Sequence, residues 1–312
     1  MNKIIRMWNQ NRKKIIIIAL GVVFIFAIIQ VLNQVAKEEI QKKANNNNVS
    51  SVQNYQKLPT TSSRTGEVVS EEKTKTNVNI IENFVQACNN ADTKKAYDLL
   101  TDECKNTLFP TEQEFIDNYY NLIFKTKKTI DIENYKNSSK TNTYMVTFYE
   151  DSISTGNVSS SQNYGDYITV DKDTQKLNIN SLITAKEINK STEKNGIRIT
   201  ILKQELYKDY EIYEIKAENN TDKTVLLDTM SSSKKIYIMD NSNIKNTVAI
   251  NEIADSLLQI TSYGAKTISM KFYKNYNSGS RTKKVIFTDI VEDNAKYEQE
   301  NTTDRLKIEV EI

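Results

Sequence analysis

The chain has 312 residues, 42 Lys+Arg against 40 Asp+Glu for a net charge of +2, no His, two Cys, two Pro and seven Gly. At roughly 100–200 residues per domain this length holds about two folded units plus non-globular segments, and collagen-like, proline-rich and disulfide-dense classes are excluded. The near-zero net charge supplies no global field for nucleic acid, and the lack of His removes Ser-His-Asp and Cys-His nucleophiles, histidine metal sites and the usual near-neutral base.

Residues 1–14 carry Lys3, Arg6, Arg12, Lys13 and Lys14 with no acid. The run 15–32, IIIIALGVVFIFAIIQVL, is eighteen residues without a charge and with one polar side chain, Gln30. That is enough helix to cross a bilayer core, so 15–35 is read as a single transmembrane helix. The mixed set Lys37, Glu38, Glu39, Lys42 and Lys43 follows, and the basic side stays inside. The amino terminus is expected in the cytoplasm and everything beyond about residue 36 outside the cell membrane. A cleaved signal peptide is the competing reading. The anchor is preferred because the run exceeds a usual h-region, no A-x-A-like site follows, and no Cys stands near it for lipid attachment.

Residues 36–77 are rich in Asn, Ser, Thr and charge and lack an apolar period. They read as a disordered linker, about 35 Å end to end if it behaves as a flexible coil. Order is expected from Val78, where Ile81, Phe84, Val85 and Cys88 share a helical face. A second helix is expected from about Thr93, with Ala96, Leu99 and Leu100. A third follows Pro110, where Thr111 and Glu114 make a capping box and Phe115, Tyr119 and Leu122 follow at i, i+4 and i+7. After Lys128 the period becomes two: Ile130 and Ile132; Tyr144, Val146 and Phe148; Tyr167, Ile168 and Val170; Leu177 and Ile179. Helices followed by strands predict an α+β domain over 78–183, with helices on one face of a curved antiparallel sheet.

From Gly196 the signal is almost purely β. Ile197, Ile199 and Ile201 alternate, as do Tyr213, Ile215 and Ala217, then Ile268, Met270 and Phe272, then Leu306, Ile308, Val310 and Ile312. Turn clusters at 219–222, 240–243 and 275–279 separate them, which predicts an all-β sandwich over 184–312 with six to eight strands.

The segment FVQACNNADTKKAYDLLTDECKNTL, its capped helix and the strands after it resemble the nuclear transport factor 2-like family of cone-shaped α+β folds. YEIYEIKAENNTDKTVLLD and SYGAKTISMKFY look like the immunoglobulin-like (Ig-like) domains of extracytoplasmic bacterial proteins, without their Cys…Trp…Cys core. The order basic tail, single span, tether and cone-fold domain is similar to bitopic VirB-type and TcpC-type components of conjugation and type IV secretion channels; the carboxy-terminal sandwich departs from that pattern. That resemblance implies assembly within a membrane channel, and no functional residue is carried over from it.

Cys88 and Cys104 have two readings. A disulfide would close a loop of about sixteen residues and contribute roughly 3 kcal/mol; as separate core thiols they need no partner, which is the favoured reading. Cone-fold isomerases and dehydratases use an Asp base with Tyr or His partners, and Asp117, Tyr119, Tyr120, Tyr144 and Tyr149 supply such residue types. Tyr and Asp are common throughout the chain, so these are read as amphipathic core and surface residues rather than catalytic ones. Glu150-Asp151 and Asp171-Lys172-Asp173-Thr174 lack the pattern of a calcium loop and read as turns. No phosphate loop occurs, and two cysteines without His do not complete a zinc site. The expectation is a non-enzymatic scaffold or adaptor in the cell envelope, without cofactor or metal. Its expected partners are the bilayer, other envelope proteins including secretion-channel subunits, and further copies of itself. The rivals are a wall-ligand module, reading glycan or peptide through sandwich aromatics, and a cone-pocket enzyme.

Overall fold

A computed structural model describes residues 58–150, 163–229, 234–249, 255–276, 279–300 and 304–312. They form antiparallel sheets with a set of short helices. The basic tail and the apolar run 15–32 lie outside the described residues, and no described helix is long and apolar enough to cross a membrane.

Helix α1 (Glu71–Asn89) buries Thr74, Asn77, Val78, Ile81, Phe84, Val85 and Cys88, steps of three and four that put one stripe against the core. Glu71 and Glu72 fill its first turn, where carboxylates face the positive helix end. The helix begins ahead of the start expected at residue 78. Its first two turns bury Thr74 and Asn77 instead of apolar side chains, so an apolar period becomes visible only at Val78. The expected tether is also structured at its end, where Thr61 and Val68 form a bridge and Ser62 Oγ donates to the Tyr135 carbonyl at 2.7 Å.

Two helices replace the one expected from Thr93: α2 (Thr93–Asp98) and α3 (Asp102–Leu108). The break lets the Leu177 N–H bond the Leu99 carbonyl and the Thr101 N–H bond the Leu177 carbonyl, both at 2.9 Å. Thr101 then caps α3 by accepting from the Cys104 N–H at 2.9 Å, which satisfies one of the free donors of a helix start. Helix α4 (Glu112–Phe115) carries the capping box foreseen at Thr111 and Glu114. A π-helical turn over Ile116–Tyr120 leads into α5 (Asn121–Ile123). The wider turn shifts the register of the stripe, so Ile123 is buried and Leu122, expected on the apolar face, is 67% exposed.

The first sheet runs in the order β1 (Lys128–Asn137), β2 (Thr141–Glu150), β3 (Tyr164–Asp171), β4 (Leu177–Asn178). Cross-strand partners place Ile130 beside Phe148, Ile132 beside Val146, and Tyr144 beside Ile168. These residues are all buried. Phe84 of α1 lies 6.2 Å from the rings of Phe115 and Tyr119 and 6.5 Å from that of Phe124.

The second sheet has the order β12 (Ala265–Tyr273), β7 (Tyr210–Asn219), β6 (Ile197–Tyr207), β5 (Leu182–Lys194). The third has β10 (Lys245–Thr247), β9 (Ile236–Asp240), β13 (Thr282–Val291), β8 (Val225–Leu226), β11 (Gln259–Ile260), with β14 (Arg305–Glu311) paired to β13. Short helices α6 (Asp255–Leu258) and α7 (Asn294–Glu300) join strands of this part. Alternate residues of both sheets enter one core: Ile199, Ile215, Ile268 and Met270 from the second, Ile238, Phe287, Ile308 and Val310 from the third. Two antiparallel sheets over a common core make a β-sandwich. The β5–β6 hairpin turns on Asn195 and Gly196, both at positive φ, the pair that a two-residue hairpin loop favours. A Cβ on Gly196 would stand 3.0 Å from Thr221 Cγ2.

The described residues up to Asn89 and from Thr93 onward belong to one compact unit. The boundary expected between 183 and 184 falls inside β5, whose first residues Leu182 and Ile183 are buried. A seam of Lys and Tyr joins the first sheet to the sandwich. Lys136 Nζ donates to the Tyr276 carbonyl at 2.9 Å and sits 3.9 Å from that ring's centre. Lys208 Nζ is 4.8 Å from the Tyr167 ring, the Tyr276 N–H bonds the Lys208 carbonyl at 2.7 Å, and Lys203 Nζ reaches Thr107 Oγ1 at 3.0 Å.

Ile215 is fully buried in the sandwich core, and Tyr263 is 75% exposed. Ile215→Ala should cost about 2–5 kcal/mol in guanidinium unfolding, whereas Tyr263→Ser should change stability by less than about 0.5 kcal/mol.

Candidate functional site

The face of β1–β3 beneath α1 carries residues 130, 132 and 134, then 142, 144, 146 and 148, then 164, 166, 168 and 170, because side chains alternate and cross-strand partners share a face. Two charged side chains of this face are buried, Lys128 at its edge, paired with Glu150, and Asp166 further in. Asp166 is 1% exposed and accepts from Tyr119 Oη at 2.8 Å, from the Asn180 N–H at 2.9 Å and from the Ser181 N–H at 2.8 Å. Asn180 and Ser181 are consecutive left-handed residues, at φ 57° and 62°, a geometry that aims successive N–H groups at one anion. Burial holds the Asp166 carboxyl above its ordinary value, against the four hydrogen bonds that lower it. Burial, then the neighbouring Asp166, pushes the Tyr119 phenol well above its ordinary value.

The structure separates the five residues weighed as a cone-pocket set. Tyr119 serves Asp166. Asp117 is exposed and accepts from Gln113 Nε2 at 2.9 Å. Tyr120 stacks on Phe124 at 5.9 Å, and burial pushes its phenol up to about 12. Tyr144 accepts from Asn77 Nδ2 at 2.9 Å. Tyr149 is half-buried at the end of β2, paired with Thr129. Sequence reasoning missed Asp166. Its signal was an Asp at an inward position of YGDYITV, between Tyr164 and Ile168.

Cys88 and Cys104, weighed as a disulfide, are free thiols, both buried. Cys88 lies in the α1 stripe and Cys104 in the first turn of α3, beneath the Thr101 cap. Burial raises Cys88 well above its ordinary value and Cys104 to about 12, which keeps both as weakly nucleophilic thiols. Asp171 forms a turn, with Oδ1 accepting from the Asp173 N–H at 3.1 Å and from the Thr174 N–H at 2.8 Å. Glu150 pairs with Lys128 at 3.4 Å, and Asp151 lies outside the described residues. Among the described residues no group of three or more acidic or thiol side chains is placed to hold a metal ion. The basic residues Lys3, Arg6, Arg12, Lys13 and Lys14 are outside the described residues as well.

A second buried polar cluster lies at one end of the sandwich. Glu211 of β7 pairs with Lys274, Nζ to Oε1, at 2.9 Å. Its Oε2 accepts from Tyr213 Oη at 2.5 Å, Thr282 Oγ1 at 2.8 Å and Gln204 Nε2 at 3.0 Å. Lys274 Nζ also donates to Thr282 Oγ1 at 2.8 Å and to the Ser280 carbonyl at 3.1 Å. Burial and the adjacent Glu211 raise the Tyr213 phenol well above its ordinary value. Ionised partners in such a setting strengthen each bond and raise the cost of losing one.

No family model and no curated protein matches the chain. Among solved structures, a conserved hypothetical protein from Bacillus anthracis aligns at 9% identity and a TM-score of 0.26, over 33% of this chain and 89% of that one. A likeness of that size carries neither fold nor function.

Asp166→Asn turns an NH2 toward groups that are themselves donors, and should cost about 1–3 kcal/mol at neutral pH in denaturant titration. The folded carboxyl titrates above its ordinary 3.8, so its contribution is greatest below that value and falls as pH rises through the folded value. The gap between wild type and variant should therefore narrow from acid toward neutral pH; a widening gap would refute the placement of Asp166.

Proposed function

We propose that this protein is a membrane-anchored, extracytoplasmic scaffold or adaptor of the bacterial cell envelope, holding protein partners as a component of a conjugation or type IV secretion channel. In this reading residues 15–35 cross the membrane with the amino terminus in the cytoplasm. The tether carries a nuclear transport factor 2-like α+β part and an Ig-like sandwich outside. The observation that carries the reading is the commitment of five buried reactive-type side chains in the two polar clusters and under α1. Asp166, Tyr119, Tyr144, Glu211 and Lys274 are each buried and bonded within the chain. Such internal engagement supports a body that works through its surface. The Lys–Tyr seam adds support, since a two-part body held as one unit offers partners a fixed surface.

A second reading is a wall-ligand module on the sandwich. Its support is exposed aromatic surface at Tyr263 and, 58% exposed, at Tyr273. The ring of Tyr273 lies 5.3 Å from Lys271 Nζ, although singly exposed aromatics are ordinary on protein surfaces.

In-cell crosslinking of the full-length protein, followed by detergent extraction, affinity purification and mass spectrometry, should recover several membrane proteins, among them a secretion ATPase or channel subunit. Recovery of the protein alone would refute the scaffold reading. Recovery with wall material would refute it in favour of the wall-ligand module.

A further inference from the structure

Gln204 on β6, Glu211 and Tyr213 on β7, and Lys274 just beyond β12 are each more than nine-tenths buried. An amine and a carboxamide are thereby clamped on the two oxygens of one carboxylate, Lys274 Nζ on Oε1 at 2.9 Å and Gln204 Nε2 on Oε2 at 3.0 Å. Tyr213 closes a triangle on the same side of the carboxamide nitrogen, accepting from Gln204 Nε2 at 2.6 Å while donating to Oε2 at 2.5 Å. Thr282 bridges the amine to the same oxygen, accepting from Lys274 Nζ and donating to Oε2, both at 2.8 Å. A nucleophile, an acyl group with a departing nitrogen and a carboxylate in contact with both are the parts of an acyl transfer. Holding both within about 3 Å of one buried carboxylate lowers the entropic cost of bringing Nζ to the acyl carbon.

We propose that Lys274 and Gln204 become joined by an isopeptide bond, with Glu211 as the proton shuttle. The Lys274 ammonium gives a proton to Glu211, and the freed lone pair of Nζ attacks Cδ of Gln204. The Nζ–Cδ bond forms and the Cδ–Nε2 bond breaks. Of the three ammonium protons one stays on the new amide and two pass through Glu211 to Nε2, which leaves as ammonium. No oxidation occurs and no co-reactant is consumed. Glu211 is the catalytic residue because it touches both reacting groups; Tyr213 and Thr282 position them. The product ties β6 to the end of β12 across β7, a strap independent of redox conditions in a chain whose two cysteines are buried and apart from the sandwich. The inference does not rest on the scaffold reading.

The test is the intact mass of the full chain, purified in detergent and denatured. It should fall about 17 Da below the sequence mass, the loss of one ammonia in an acyl transfer to an amine. Digestion and tandem mass spectrometry should give one branched peptide containing Lys274 and Gln204. Lys274→Arg keeps the charge beside Glu211 and Glu211→Ala removes the shuttle; both should return to the full sequence mass. A wild-type chain at full mass overturns the proposal. So does a 17 Da loss without that branched peptide, which would place it at an Asn succinimide or on Thr282. The wild-type peptide decides the matter even if a variant fails to fold.

Discussion

Strand β5 is the constraint on which the rest of the architecture turns. It is hydrogen-bonded to β6 from Leu182 to Lys194, and it also packs against α3, β3 and β4 of the first part. Although β5 carries bulges at Leu182–Thr184 and Glu187–Lys190 and a left-handed Asn189, its pairing and its packing leave no separate linker between the helix-covered sheet and the sandwich. The seam of Lys136, Lys208, Tyr167 and Tyr276 then adds cation–ring and hydrogen-bond contacts. Each is worth about 0.5–2 kcal/mol depending on its desolvation. Beside them two backbone hydrogen bonds fix the geometry, from the Lys208 N–H to the Ser181 carbonyl and from the Tyr276 N–H to the Lys208 carbonyl.

Burial of charge follows a common rule in the two parts. Asp166 and Glu211 each sit where an apolar side chain would cost less to desolvate. Each is compensated in a different way. Asp166 is compensated by backbone dipoles and one phenol, while Glu211 has a lysine and three neutral donors. Dipole compensation fixes a loop, here the left-handed pair 180–181 that leads into β5. Ion-pair compensation across β6, β7, the end of β12 and β13 ties both sandwich sheets to one carboxylate.

Much of this was readable in the residues. The alternation of Ile197, Ile199 and Ile201 and of Tyr213, Ile215 and Ala217 marked strands because one face of each is dry, and the Thr111–Glu114 box marked a helix start because its two bonds are local. What escaped were features decided by contacts distant in sequence. Leu122 faces solvent because a π-turn re-phases the helix; Thr74 and Asn77 are interior although polar; the Leu99–Thr101 break exists to bond Leu177. Of the candidate site, Tyr119 was visible and Asp166 was not. A lone inward Asp has meaning only once Asn180 and Ser181 are known to turn their N–H groups toward it.

The Glu211 cluster sharpens that distinction. Gln204, Glu211, Tyr213, Lys274 and Thr282 span seventy-nine positions from first to last, with ordinary spacing and no motif. Glu211 and Tyr213 share a face by strand alternation, and β6 pairing brings Gln204 beside Tyr213. Lys274 arrives because β12 pairs with β7 from Tyr210 to Glu218 and the chain then turns inward. Thr282 comes from the opposite sheet. A polar residue on the inner face of a sandwich strand is costly alone, and two of them, Glu211 and Tyr213, at alternate positions of one strand require partners from somewhere. The sequence therefore displays the need for a cluster in YEIYEI, while only the sheet order supplies its members.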